Sequence, residues 1–450
     1  MSADAYTPQS GDAGIRVDHY ELTLDYRVST NRLTGTAVIR GRTVLPTRAL
    51  SFDLVGLRAS KVTLAGSRTT SFHQSDRKLR ITLPAALPAG KSFEVTVAYA
   101  GAPRPRRSRW GTIGWEELAD GVLTASQPTG APTWFPCNDV PADKPTSRVT
   151  FTTDRAYTVV AGGLRTRRAT QGGKTTWTYE QNAPTPTYLM TLQVGRYTEE
   201  TVALGGPRGR LIYPPALAAR VHSDFADLRG MVAVFVELFG PYPLDEYAVV
   251  VTADDLEIPL EAQGIGVFGA NHIDGSGSLE RLVAHELAHQ WFGNSVGVAR
   301  WQDIWLNEGF ACYAEWLWSE RSGGPTADQK AVAHHARLRA LPQDLVLSDP
   351  GPDLMFDDRV YKRGALALHA LRLTLGDDAF FTLLRTWART YRAATATTAD
   401  LIALAEDMAD APIAALMHAW LDLPALPALP RPPAGVRRDA APPPPEPSLH

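Results

Sequence analysis

The segment Leu282 to Asn294, LVAHELAHQWFGN, constrains this chain more than any other stretch. It sets His285 and His289 four residues apart with Glu286 between them. Side chains at i and i+4 are neighbours on a helix, so both imidazoles can reach one ion. The apolar residues Leu282, Val283, Leu287, Ala288 and Phe292 suit a buried helix, a rigid support for a ligand pair that the pattern predicts to end near Gly293. A hydrolytic zinc site takes three protein ligands and keeps a fourth position for water. The segment WQDIWLNEGFACYAEWLWSE supplies the third: it reads as a helix from about Asn307, with Glu308 in its first turn and eighteen residues between Glu308 and His289. An isolated HExxH is also compatible with plain core packing, but the downstream NEG makes a ligand set of it. The predicted inner shell is His285, His289 and Glu308, holding one zinc ion per chain.

At 450 residues the chain exceeds one ordinary core, and roughly two to four domains are expected. Its 44% hydrophobic and 21% charged content is that of a globular protein able to bury large cores. The formal net charge is -3 with both signs interspersed, and the one basic run, RPRRSR at Arg104 to Arg109, reads as a solvated loop. Nucleic acid is therefore not an expected partner. Two cysteines, Cys137 and Cys312, are too few for a disulfide framework and are expected to be free thiols, with Cys312 facing away from Glu308's neighbours. The N-terminus lacks a charged start followed by an apolar run, and no run of about 18 apolar residues occurs, so a cytoplasmic protein with no membrane partner is expected.

From Val17 to about Tyr197 short alternating runs such as Tyr20, Leu22, Leu24 and Tyr26 are cut by Gly, Pro, Asp and Asn. They predict a twisted antiparallel sheet or sandwich. Thr124 to Thr146 breaks that pattern with prolines and a Trp-Phe pair, and reads as an ordered irregular loop. Its Gln127 is a candidate ligand-facing polar group, while Trp134 and Phe135 suit packing between domains. Helical periods begin with Leu217 to Leu238; Tyr247 to Ala253 reads as a buried strand, and Leu260 to Phe268 as another, interrupted by Gly264 and Gly266. An edge strand there would suit pairing with an extended peptide. From Ser278 helices dominate, with further segments at 326–340, 361–374, 377–391, 398–410 and 413–423. The predicted organisation is a flexible N-terminus (1–14), a β domain (15–200), a mainly helical catalytic domain (201–424) and a proline-rich disordered tail (425–450).

HELAHQWFGN with WLNEGFA, WFPCND-VP, YPLDEY and YKRG together make the chain resemble the zinc aminopeptidases of the aminopeptidase N type, a family that includes a leukotriene epoxide hydrolase. The motifs span about residues 15 to 425, nearly the whole expected folded chain. The resemblance implies an α+β multidomain fold: an N-terminal antiparallel β saddle followed by a thermolysin-like, mainly helical zinc domain, with no large C-terminal helical domain. It implies that Glu286 is the general base and that Tyr361 of YKRG, with Arg363 in the family lysine's place, donates to the oxyanion. Glu261 in IPLEAQG matches the glutamate of the family's GxMEN motif, which grips the substrate's α-amino group, although Leu260 and Ala262 replace the Met and Asn. Gln127 resembles the family's amine-binding glutamine, with a shorter spacing to Phe135. The activity implied is removal of the N-terminal residue from peptides. The alternatives are a zinc endopeptidase, an epoxide hydrolase, and a non-catalytic peptide-binding protein, for which the intact ligand and base set has no use.

Overall fold

The architecture follows the alternation between period-two and period-3.6 segments, as a computed structural model describing residues 4–66, 70–409 and 412–430 records it. The helices are α1 (Ala218–Asp224), α2 (Leu228–Phe239), α3 (Glu280–Ala288), α4 (Trp305–Arg321), α5 (Ala327–Arg339), α6 (Asp358–Leu375), α7 (Asp377–Thr390), α8 (Thr398–Asp407) and α9 (Ile413–Leu421). Over the described residues the chain divides into two compact units, Met1–Asp224 with Leu244–Gly277 and Phe225–Pro243 with Ser278–His450. No helix among the described residues is long and apolar enough to cross a membrane.

The first unit is built on strands. Its largest sheet among the described residues has seven, in the order Leu164–Gln171, Lys174–Gln181, Thr146–Asp154, Ile15–Arg27, Arg32–Thr43, Ser92–Gly101 and Arg58–Leu64. Ile15–Arg27 alternates buried and more exposed residues on either side of a bulge at Asp18, as a strand with one face on a core requires. The sheet is not wholly antiparallel as expected, because Ile15–Arg27 pairs in parallel with Thr146–Asp154. Parallel neighbours need a long crossover, and the intervening strands and loops supply it. Trp134 and Phe135 lie in this unit's own core, where Phe135 meets Tyr20 edge-on at 5.3 Å, rather than packing between domains.

Residues 4–14 are not the free end that composition suggests. Asp4, Tyr6 and Ser10 are buried, Gly11 N–H donates to Asp53 Oδ2 at 2.7 Å, and Asp12 N–H donates to Asn138 Oδ1 at 2.7 Å. A segment whose backbone donors are met by buried acceptors is held in place.

The same unit contains a five-stranded sheet ordered Thr198–Ala203, Arg208–Tyr213, Glu246–Val251, Ile265–Phe268 and Leu260–Ala262. The expected single strand at 260–268 is a hairpin of two antiparallel strands, turning at Gly264 with φ +78°. Glycine reaches that region without the steric cost a side chain brings. Leu260–Ala262, which carries Glu261, is the edge strand. The single helical period expected at 217–238 is two helices, α1 and α2, because the chain passes from one unit to the other after Asp224.

Among the described residues the second unit is helical apart from a short parallel pair, Gly297–Val298 with Thr395–Ala396. Every residue of α4 from Trp305 to Trp318 is buried, so this helix runs through the unit's core. Arg363 on α6, where the resembling family has lysine, donates to the carbonyls of Trp420, Leu345, Leu423 and Pro424. A planar fork of five N–H donors can meet several carbonyls that an ammonium cannot. It fastens the chain just beyond α9, and His335 Nε2 meets the carbonyl of Pro427 at 2.7 Å. The start of the proline-rich stretch is thus packed on the helices, and its expected disorder beyond, at 431–450, lies outside the described residues.

Candidate metal centre

Helix α3 places His285 in its last turn and His289 at its C-terminal cap. The helix stops earlier than the sequence pattern suggests. Gly293, at φ +116°, turns the chain, and a Cβ there would lie 2.9 Å from His289 Nδ1. A side chain at 293 would be strained and would also press on the His289 ring. Trp291 anchors this end: its Nε1 donates to Gly240 O at 3.0 Å, and its ring meets Phe235, Phe239 and Tyr242.

The two imidazoles are oriented through their Nδ1 atoms. His285 Nδ1 is 2.7 Å from Glu315 Oε1, and His289 Nδ1 is 3.0 Å from the carbonyl of Phe292. Acceptors on both Nδ1 atoms place the proton there and leave each Nε2 lone pair for a cation. Both Nε2 atoms face one oxygen, Glu308 Oε2, at 3.6 Å from His285 and 3.4 Å from His289. In a tetrahedral shell with bonds of about 2.0–2.2 Å, ligand atoms stand roughly 3.3–3.6 Å apart. The donor set therefore fits zinc in chemistry and in spacing.

The electrostatics agree. Burial works against ionisation of Glu308, yet His289 and His285 hold its carboxyl down at about 2. Burial alone would lower His285, but the Glu308 and Glu315 carboxylates raise it, favouring a positive charge, proton or cation, at Nε2. Two buried carboxylates kept anionic around two imidazoles make a site that favours positive charge.

Glu286 is also buried, at 4% exposure, between the two histidines on α3. Tyr361, half-buried near the start of α6, stacks towards His285 with ring centroids 6.1 Å apart and planes 21° from parallel. In the first unit, Gln127 Nε2 donates to Glu261 Oε1 at 2.7 Å, which brings the two residues singled out for the substrate's amine into one pair.

Sequence reasoning passed over Glu315. It lies seven residues, two helical turns, beyond Glu308 on the same face of α4, and that spacing was the available signal. Arg281 approaches it at 3.6 Å. Glu315→Ala is expected to weaken zinc affinity by about 10–100-fold by freeing the His285 ring. Competition with a chromophoric chelator measures this, and an unchanged affinity would show the contact to be incidental. Cys312 does not face away from this layer: it is four residues from Glu308 and 3.4 Å from Lys362 Nζ. Cys137 and Cys312 are both buried, unpaired thiols.

Models of two protein families match the chain: the peptidase family M1 domain over residues 231–420 and the peptidase M1 N-terminal domain over residues 16–189. Aminopeptidase M1-A of Oryza sativa subsp. japonica is 26% identical over 93% of this chain and 52% of its own length. Leukotriene A-4 hydrolase of Xenopus laevis is 26% identical over 60% of this chain and 45% of its own. The chain thus spans about half the length of the curated relatives it matches. The crystal structure of an M1 zinc metallopeptidase from Deinococcus radiodurans is 34% identical, covers 96% of this chain and 100% of its own, and superimposes with a TM-score of 0.87. A variant of that protein has been solved bound to a Tyr-Ser-Ala substrate.

Proposed function

Because the chain belongs to peptidase family M1, we propose that it is a zinc-dependent aminopeptidase, cleaving the first peptide bond of peptides with a free α-amino group. The observation that carries this reading is the approach of one Glu308 oxygen to both imidazole Nε2 atoms. Zinc bound by these three residues supplies Lewis-acid polarisation of a carbonyl and acidifies a water.

The protein's own groups do the rest. Glu286 takes the proton of the attacking water and returns it to the leaving amine. Tyr361 donates its phenolic proton to the oxyanion that develops on the substrate carbonyl, a bond made only on the way to the transition state. Glu261 pairs with the substrate ammonium, and Gln127, already hydrogen-bonded to that carboxylate, orients it. An anchor one residue from the scissile bond turns a general zinc peptidase into an exopeptidase. A cytoplasmic location belongs to the same proposal, supported by two cysteines that are buried thiols, as a reducing compartment keeps them.

The test is a panel of aminoacyl chromogenic amides, free and N-acetylated, with and without a chelator. Chelation should abolish turnover, and the enzyme should strongly prefer free amines. Glu261→Ala should cut kcat/KM on free-amine substrates by about 10²-fold, as truncating one partner of a charge pair that the bound substrate covers does, and leave the acetylated series nearly unchanged. Equal losses on both series would remove Glu261 from the anchor role; faster cleavage of blocked substrates would make the enzyme an endopeptidase.

A further inference from the structure

Helices α4 and α6 touch through glycine. A Cβ on Gly309 would lie 2.8 Å from Gly364 Cα and 2.9 Å from its carbonyl carbon. A Cβ on Gly364 would lie 2.8 Å from Gly309 Cα. These would be clashes with backbone, which cannot turn aside as the end of a flexible side chain can. Glycine weakens a helix interior, so helix propensity explains neither residue. Their reason is tertiary: here the two backbones pass closer than any side chain permits.

The neighbours of this contact give it a use. Gly309 directly follows the ligand Glu308, and Gly364 lies one turn after Tyr361. Residues at i and i+3 share a helix face, so the face of α6 that carries Tyr361 is the one pressed against α4. The same seam is tied by Lys362 Nζ to Cys312 Sγ at 3.4 Å and by Tyr313 Oη to His369 Nδ1 at 3.1 Å. We infer that Gly309 and Gly364 are positioning residues, setting the helix approach that holds the Tyr361 phenol at its working distance from the Glu308 and His285 ligand set. The inference rests on the reading of Tyr361 as the oxyanion donor.

Carbon atoms in comfortable contact stand about 3.5–4.0 Å apart, so a methyl group at either position drives the helices apart by roughly 1 Å. A misplacement of that size at a reacting centre costs on the order of 10²-fold in rate. Gly309→Ala and Gly364→Ala are therefore expected to lower kcat by about 10–10²-fold while KM moves less than about threefold and zinc stays bound.

Both substitutions should be made in the wild type and in Tyr361→Phe, with kcat, KM, zinc content and melting temperature read for each. If the glycines act through the phenol, then in the Tyr361→Phe background either alanine costs less than about threefold more. Full, multiplicative losses in that background would overturn the inference, because the glycines would then be serving the fold or the metal. So would zinc loss in the single variants, or a failure of both to fold, since the contact would then hold the helices together rather than place the tyrosine. If Tyr361→Phe alone leaves kcat unchanged, it is the reading of the tyrosine that fails, and the two failures are told apart.

Discussion

Glu286→Gln is expected to lower kcat by about 10³–10⁴-fold while the protein keeps its zinc. The carboxamide has nearly the shape of the carboxylate, so the packing around a residue only 4% exposed is preserved. It cannot accept the proton of water. The proposed ligand atoms are the Nε2 atoms of His285 and His289 with Glu308 Oε2, and both rings are steered from Nδ1 by Glu315 and the Phe292 carbonyl. None of those contacts involves the Glu286 carboxylate. The check is kcat on a free aminoacyl amide alongside elemental analysis of the same sample. Zinc lost in step with activity would make Glu286 a ligand or a scaffold instead of a base.

Glu308→Gln is expected to behave in the opposite way, losing zinc and turnover together, with turnover down by at least about 10²-fold at trace free metal. Its oxygen is shared between two Nε2 atoms at 3.6 and 3.4 Å, and the two imidazoles hold its carboxyl down at about 2. The amide keeps the volume and removes the negative charge that a dication requires. Titrating zinc back should recover part of the activity at concentrations far above those the wild type needs. A variant that retains stoichiometric zinc would place the third ligand elsewhere. Two glutamates that each abolish turnover when made glutamine are thus separated by metal content.

The readable part of the site lay within single helices. His285, Glu286 and His289 are fixed relative to one another by the helical period, and Glu308 sits in the first turn of a helix rich in apolar and aromatic residues on every face. The N-terminal strands were equally legible from alternation, since period two puts every second side chain on the core. Less legible were breaks and partners. The division of 217–238 into α1 and α2 falls where the chain changes unit, and the 260–268 hairpin turns at a single glycine inside an apolar run.

The sequence by itself determined the candidate chemistry: the donor types, their local spacing and the carboxylate proposed as base between them, all set by backbone periods of a few residues. Tertiary structure alone decided that Glu315 steers the His285 ring, which strand lies parallel to Ile15–Arg27, and that α4 and α6 meet at Gly309 and Gly364. Those partners stand tens of residues apart along the chain. No local period encodes such a choice, because it is made by how whole elements fill space against one another.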